Sequence, residues 1–309
     1  MNRGGEWVSG KNVQLHSLNE DERFIVVLEA LLKRASLVNS PFVLKGSLLT
    51  RQYLENPNIR YVDDIDFLYV GRIETEDQAN EIFTDWMIRV TETDLNDGIV
   101  FRSFSENAFW RRIDYAMADD FPTVNTELAF YIDSEPRSEN EYQDEYEDEL
   151  HLDISFNLEL DEKSIQLSYQ PMVGEAFVVP HTVPLSIQIA WKVHQTIVRP
   201  RFKDLYDLQH LLSNPSYDQQ ALQETLQTLV NECAMDPAIS KEDMKKIMVD
   251  DLHDVYSRLN HDYDLQYFAG SRSPEVYFIG FITELRRTMN QAGINSDAYE
   301  HLPSCTTHK

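Results

Sequence analysis

Basic residues and cysteines are scarce in this 309-residue chain. It has 27 Lys and Arg against 53 Asp and Glu, which gives a formal net charge of −26. Because proteins that bind nucleic acid rely on a basic surface for much of their affinity, this charge excludes general polyanion binding. Any contact with nucleic acid then requires a local basic patch or a basic partner. The two cysteines, Cys233 and Cys305, predict neither a disulfide framework nor a thiolate metal site.

Long apolar runs are also missing. No stretch reaches the length of a membrane span, and the first residues lack the apolar segment of a signal peptide. The sequence therefore predicts a cytosolic, folded protein with no membrane partner. Its hydrophobic content of 42%, with 11% aromatic residues, is ample for a core.

Apolar periodicity predicts an α/β half followed by a helical half, with domains at residues 1–180 and 181–309. Strands are predicted at residues 42–44, 60–70 and 150–160, with weaker ones at 99–104 and 127–131. Helices are predicted at residues 18–37, 48–54, 76–90, 185–198, 204–212, 218–233, 241–259 and 274–290. Ser17 and Glu20 would form the capping box of the first helix. The acidic segment 134–149 is predicted to be a solvated, mobile loop.

Asp64 and Asp66 stand two residues apart in one predicted strand. Side chains alternate along a strand, so both carboxylates project from one face while Ile65 and Phe67 project from the other. Two carboxylates this close repel each other unless a cation lies between them, and hard oxygen ligands suit Mg²⁺ or Mn²⁺. The alternative is two solvated aspartates on the polar face of an edge strand.

Lys45, Gly46 and Ser47 lie upstream of this pair and ahead of a helical stretch. A helix N-terminus offers free backbone N–H groups, which favour a triphosphate. A phosphate-binding turn beside metal-binding carboxylates indicates nucleotide chemistry. Two-metal nucleotidyl transfer needs a third carboxylate, and Asp153, on the polar face of the strand at residues 150–160, is the candidate.

Cationic candidates follow in the helical half. Lys192 could approach the leaving pyrophosphate, although it could also be a half-buried helix lysine whose ammonium reaches water. Arg199, Arg201 and Lys203 form a local basic cluster. Asp204 is either functional or the N-cap of the next helix.

Five segments succeed one another along the chain: FVLKGS at 42–47, DIDF at 64–67, LDI at 152–154, AWK at 190–192 and RFKDLYDL at 201–208. In this order and spacing they resemble the AbiEii/AbiGii toxin family of nucleotidyltransferases, over about residues 42–212. The resemblance implies a polymerase-β-like nucleotidyltransferase fold, a mixed sheet flanked by helices, with a helical C-terminal domain. It also implies an NTP such as ATP, GTP or CTP as co-substrate and a type IV toxin–antitoxin system.

The resemblance assigns roles to residues of this chain. Gly46 and Ser47 match the phosphate-binding turn, and Lys45 beside them is also expected to bind the nucleotide. Apart from the resemblance, the basic cluster of Arg199, Arg201 and Lys203 is expected to face the acceptor or the nucleotide. The resemblance further implies the metal ligands and the remaining catalytic residues, namely Asp64, Asp66 and Asp153 for Mg²⁺ or Mn²⁺, and Lys192 and Asp204.

Two features depart from the family pattern. Many members have Gly-Gly where this chain has Gly46-Ser47, a pair that is equally common in the wider superfamily. The net charge of −26 suits a tRNA-binding enzyme poorly. The acceptor is therefore open: a tRNA, a protein or a small molecule. A non-catalytic interaction protein of the same fold is a further alternative, and a basic antitoxin is a possible partner.

Overall fold

The computed structural model describes residues 15, 17–113, 122–133, 148–158, 160, 162–198, 200–235, 250–295 and 298. Its strands are β1 (Phe42–Lys45), β2 (Asp64–Tyr69), β3 (Ile99–Phe101), β4 (Arg111–Ile113), β5 (Thr123–Ile132), β6 (Asp148–Phe156), β7 (Ile165–Tyr169) and β8 (Phe177–Thr182). Its α-helices are α1 (Glu20–Leu37), α2 (Gly46–Thr50), α3 (Glu76–Thr91), α4 (Leu185–Val198), α5 (Phe202–Leu212), α6 (Gln219–Met235), α7 (Leu252–Leu259), α8 (Tyr263–Ala269) and α9 (Pro274–Gln291).

The described strands form one mixed sheet. Its order is β3, β5, β6, β2, β1, β8, β7, and β4 pairs with β5. Strand β2 lies at the centre, parallel to β6 and antiparallel to β1. The central strands therefore carry the aspartates identified from the sequence.

Two hydrophobic clusters hold the chain together. The first joins the sheet to α1 and α3, where the Trp86 and Phe42 rings stack 3.9 Å apart. The second lies among helices α4 to α9 around the fully buried Phe202. The predicted order of an α/β half and a helical half is confirmed, while the domain boundary at residue 180 stays a prediction. Among the described helices, none is both long and apolar enough to span a membrane.

Local chemistry explains where several predictions were wrong. Helix α1 begins later than expected, because the capping box is formed by Asn19 and Glu22 and not by Ser17 and Glu20. Strand β6 begins at Asp148, inside the segment assigned to a loop, and ends at Phe156. The following Asn157 has φ of +58°, so the alternation breaks before residue 160.

Other elements were absent from the prediction. The hairpin of β7 and β8 and helix α8 were not expected from the sequence. After the Gly46 turn, the helical stretch begins earlier than predicted and runs as an α-helix to Thr50 and a 3₁₀-helix over Arg51–Tyr53. Strand β2 begins at Asp64, later than the predicted residue 60. Residues 134–147 of the acidic segment, and 241–249 of the helix predicted at 241–259, lie outside the described residues.

A buried carboxyl joins α1 to the β7–β8 hairpin. Glu29 accepts hydrogen bonds from Tyr169 Oη at 3.1 Å and Met172 N at 2.7 Å, and Arg51 Nη1 lies 3.4 Å away. Burial is the largest effect on this group, and it raises the pKa of Glu29 from 4.5 to about 7. The folded protein therefore holds this proton up to a higher pH than the unfolded chain does.

We expect the free energy of unfolding to fall as pH rises from about 4.5 to 7, because across this window the folded state binds more protons than the unfolded state. Glu29→Gln should reduce this slope, and Glu175→Gln, at an exposed site in the hairpin loop, should not. Urea unfolding at a series of pH values measures the dependence of the unfolding free energy on pH in each variant. An unchanged slope in Glu29→Gln would contradict the assignment.

Candidate active site

Strand pairing brings the candidate carboxylates together. In register, Lys45 is opposite Asp66, Asp66 is opposite Asp153, and Asp153 is opposite Asn125. Because paired residues point to the same face, this row crosses four strands on one side of the sheet. Asp64 lies on the same face of β2, while Ile65 and Phe67 are buried on the other.

Each of the three aspartates, Asp64, Asp66 and Asp153, offers a carboxylate oxygen within 4.8 Å of the other two. Asn125 Nδ2 donates to Asp153 Oδ1 at 2.5 Å, and Lys45 Nζ lies 3.5 Å from Asp66 Oδ1. Hard oxygen ligands at this separation fit Mg²⁺ or Mn²⁺. The amide of Asn125 orients the Asp153 side chain, a role that sequence reasoning missed.

The same cluster is electrostatically strained without a cation. Burial, followed by repulsion from Asp66, raises the pKa of Asp64 from 3.8 to about 7. Burial and Asp66 likewise raise the pKa of Asp153, although Asn125 and Lys45 oppose the shift. Like charges forced together in a partly buried site favour a bound cation, which supports the metal-binding interpretation.

Gly46 makes the turn from β1 into α2 and lies directly against Asp66. Its φ is +74°, and a Cβ at this position would lie 1.9 Å from Asp66 Oδ2. Its carbonyl accepts from Thr50 Oγ1 at 3.0 Å and from Gln188 Nε2 of α4 at 3.1 Å. Only glycine combines this backbone conformation with this contact.

We expect Gly46→Ala to displace Asp66 and abolish metal-dependent nucleotide binding. The left-handed backbone alone costs about 1–2 kcal/mol for a non-glycine residue, and the clash adds to it. Gly270→Ala is the matched control, because Gly270 has φ of +59° with no atom within 4 Å of the added Cβ. Calorimetric titration with Mg²⁺ and NTP measures the result. Normal binding by Gly46→Ala would show that the contact with Asp66 is dispensable.

Lys192 lies in a buried ionic network and not at a solvent-reaching position. Its Nζ is 2.7 Å from Asp204 Oδ1 and 2.8 Å from Asp207 Oδ2, and both carboxylates are fully buried. Each aspartate also has an arginine partner, which is Arg201 for Asp204 and Arg60 for Asp207. The attraction of Lys192 and of these arginines outweighs burial and holds the pKa of both aspartates below its usual value. Asp204 therefore lines the cleft with a carboxylate that is fully buried and paired with Lys192 and Arg201, and a catalytic role for it stays a prediction.

Arg60, in the loop before β2, extends this network to the phosphate-binding turn. Its Nε and Nη2 contact the two oxygens of Asp207 at 2.9 and 3.3 Å, and Nη2 also donates to Ser47 Oγ at 3.0 Å. Sequence reasoning missed Arg60 and Asp207. An arginine close before the Asp64 strand was the available signal, but its partner lies 147 residues away in the chain.

The two described residues of the basic cluster, Arg201 and Lys203, have different surroundings. Arg201 Nε contacts Asp204 Oδ2 at 2.6 Å, so this guanidinium is anchored at the edge of the cavity. Lys203 lines the cavity and acts electrostatically on Asp64 and Asp264. Arg199 lies outside the described residues.

A cleft between the sheet and helices α4 to α6 contains these groups. Gly46, Ser47 and the three aspartates line one wall. Helix α4 supplies Trp191 and Lys192 to the other wall, and Trp191 Nε1 donates to Glu232 Oε1 at 2.8 Å. A carboxylate triad beside a glycine–serine turn, on the central strands of a mixed sheet and facing a helical half, defines the nucleotidyltransferase class.

Comparisons with known proteins identify the family. A family model described as "Nucleotidyl transferase AbiEii toxin, Type IV TA system" matches residues 30–269. Because this is well over half of the chain, the protein belongs to the AbiEii nucleotidyltransferase toxin family, as the resemblance predicted. It is therefore a transferase of the nucleotidyltransferase class. No curated protein matches the sequence.

Two solved structures are similar in shape. MenT4, a nucleotidyltransferase toxin from Mycobacterium tuberculosis, is 12% identical with a TM-score of 0.50, over 96% of this chain and 93% of that one. A protein from H. pylori assigned to the nucleotidyltransferases is 14% identical with a TM-score of 0.44, over 95% of this chain and 100% of that one. The likeness to MenT4 confirms the predicted nucleotidyltransferase fold.

Proposed function

We propose that this protein transfers a nucleotide from an NTP to an acceptor hydroxyl, with Asp64, Asp66 and Asp153 as the ligands of two Mg²⁺ or Mn²⁺ ions. The observation that carries the proposal is the set of three carboxylates beside the Gly46–Ser47 turn in one cleft. When bound, such ions would polarise the phosphates and stabilise the charge that develops during transfer.

The residues of the chain have separate tasks in this reaction. Gly46 and Ser47 bind the triphosphate. Lys45, which is paired with Asp66 on the neighbouring strand, contributes positive charge beside it. The acceptor oxygen forms a bond to the α-phosphorus, and the bond from this phosphorus to the bridging oxygen of pyrophosphate breaks. The acceptor proton passes to the carboxylate of Asp153, which Asn125 holds in place through its other oxygen.

Lys192 has a positioning role in this proposal, together with Asp204. Its ammonium is 2.7–2.8 Å from two buried carboxylates, so it fixes α4 against α5 at the wall of the cleft. Besides Lys45 and Lys192, two further described cations line the cleft, Arg201 and Lys203. We assign them to the NTP or the acceptor.

We propose tRNA as the acceptor. We also propose a basic antitoxin as the partner, because the net charge of −26 suits a basic protein. The same charge means that tRNA binding would use few phosphate contacts, with modest affinity and a shallow salt dependence. A protein or a small molecule is the second candidate, which the acidic surface favours. A decayed, non-catalytic protein is disfavoured because all three carboxylates are present.

The acceptor can be identified by labelling. The purified protein is incubated with each α-labelled NTP, Mg²⁺ and a cell extract, and the labelled product is separated into RNA, protein and small molecules. We expect one NTP to label tRNA, with loss of labelling in Lys203→Glu and retention of NTP binding. Label found only in protein or a small molecule would replace tRNA by that acceptor, and absence of any label would reject nucleotidyl transfer.

A further inference from the structure

Arg60 links the phosphate-binding turn to the helical half of the molecule. The side chain is 4% exposed and contacts both oxygens of Asp207 on α5. Asp207 in turn contacts Lys192 on α4. The guanidinium also reaches Ser47 Oγ at 3.0 Å, so one buried cation contacts a carboxylate of α5 and a hydroxyl at the cleft wall.

We propose that Arg60 is a positioning residue for the triphosphate and acts through Ser47. A serine hydroxyl has one hydrogen to donate and two lone pairs that accept. Because Arg60 can only donate, its bond to Ser47 Oγ uses a lone pair and directs the hydroxyl hydrogen elsewhere. Ser47 lines the cleft, so an anionic phosphate oxygen there becomes its acceptor. This inference rests on the proposed function.

The geometry explains why arginine is required. The planar guanidinium can contact Asp207 through two nitrogens while one of them also reaches Ser47. A lysine ammonium would retain the charge opposite Asp207 but could not keep the bidentate contact and the serine contact together. Asp207, itself paired with Lys192, holds Arg60 from the helical side, so packing of α4 against α5 sets the orientation of Ser47.

The test is a double-mutant cycle with inorganic tripolyphosphate and Mg²⁺ as the probe, measured by calorimetry. Ser47→Ala removes the proposed donor and should weaken binding by about 10- to 100-fold, the range for hydrogen bonds to a charged group. Arg60→Lys should cause a similar loss when Ser47 is present. In the Ser47→Ala background, the same arginine change should alter affinity by less than about threefold.

A matched control separates this role from a structural one. Arg51 is also buried and contacts a buried carboxylate, Glu29, at 3.4 Å, but it lies outside the cleft. Arg51→Lys should leave tripolyphosphate affinity unchanged, and melting temperatures of all variants establish that each is folded. If Arg60→Lys does not fold, Asp207→Asn tests the same link from its other end and should also lose affinity only when Ser47 is present.

The inference would be overturned if Arg60→Lys lowered the affinity for tripolyphosphate equally with and without Ser47. An unchanged affinity in Arg60→Lys would also overturn it. If the wild-type protein still transfers nucleotide in the labelling experiment, that failure concerns Arg60 alone. A wild-type protein that neither binds tripolyphosphate nor transfers nucleotide would overturn both the positioning role and the proposed function.

Discussion

Asp64→Ala and Asp66→Ala should each reduce nucleotide transfer by about 10²- to 10³-fold or more, the largest effect expected for any single change in the cleft. Each substitution removes one of three carboxylates whose oxygens lie within 4.8 Å of one another. Both variants should nevertheless remain folded. Burial and mutual repulsion raise the pKa of Asp64 to about 7, so above that pH the ionised pair opposes folding and its removal relieves repulsion.

The matched control is Asp63→Ala, which removes an exposed carboxylate next to the same strand. It changes the net charge equally and should retain both transfer and Mg²⁺-dependent NTP binding. Transfer assays, calorimetry and thermal melting at pH 8 make the comparison. Metal-dependent binding that persists unchanged in both Asp64→Ala and Asp66→Ala would reject the metal site.

Lys192→Met should destabilise the fold by about 3–5 kcal/mol, because it leaves two fully buried carboxylates without their shared cation. From the sequence alone, the long apolar stem of methionine would be expected to preserve stability, with only activity lost. The buried ammonium changes that expectation. Activity should also fall, since Asp204 and Asp207 hold Arg201 and Arg60 at the cleft.

The test compares the free energies of urea unfolding of Lys192→Met and Lys203→Met. The comparison is matched, because both changes remove one positive charge. Lys203 is half-buried, lines the cleft and has no carboxylate within ion-pair distance among the described contacts, so its variant should lose little stability. Equal stability of the two variants would show that the ion pairs of Lys192 contribute nothing to folding.

Sequence patterns predicted several features that depend on near neighbours in the chain. The period-two alternation around Asp64 predicted which side chains share a face of β2, and the apolar spacing after Pro184 predicted α4 with its observed limits, Leu185–Val198. The capping error at α1 arose within the same rule, because Ser17 and Asn19 both offer capping side chains. Only the geometry selects Asn19.

Tertiary structure decided the partners of the charged side chains. The sequence by itself determined that three aspartates, a glycine–serine turn and a helix lysine occur in the order of a nucleotidyltransferase. It did not determine that Lys192 is buried between two carboxylates, or that Arg60 meets Asp207 and Ser47. The reason is physical: alternation and capping act over a few residues, whereas the burial of an ion pair depends on packing between elements that are distant in the chain.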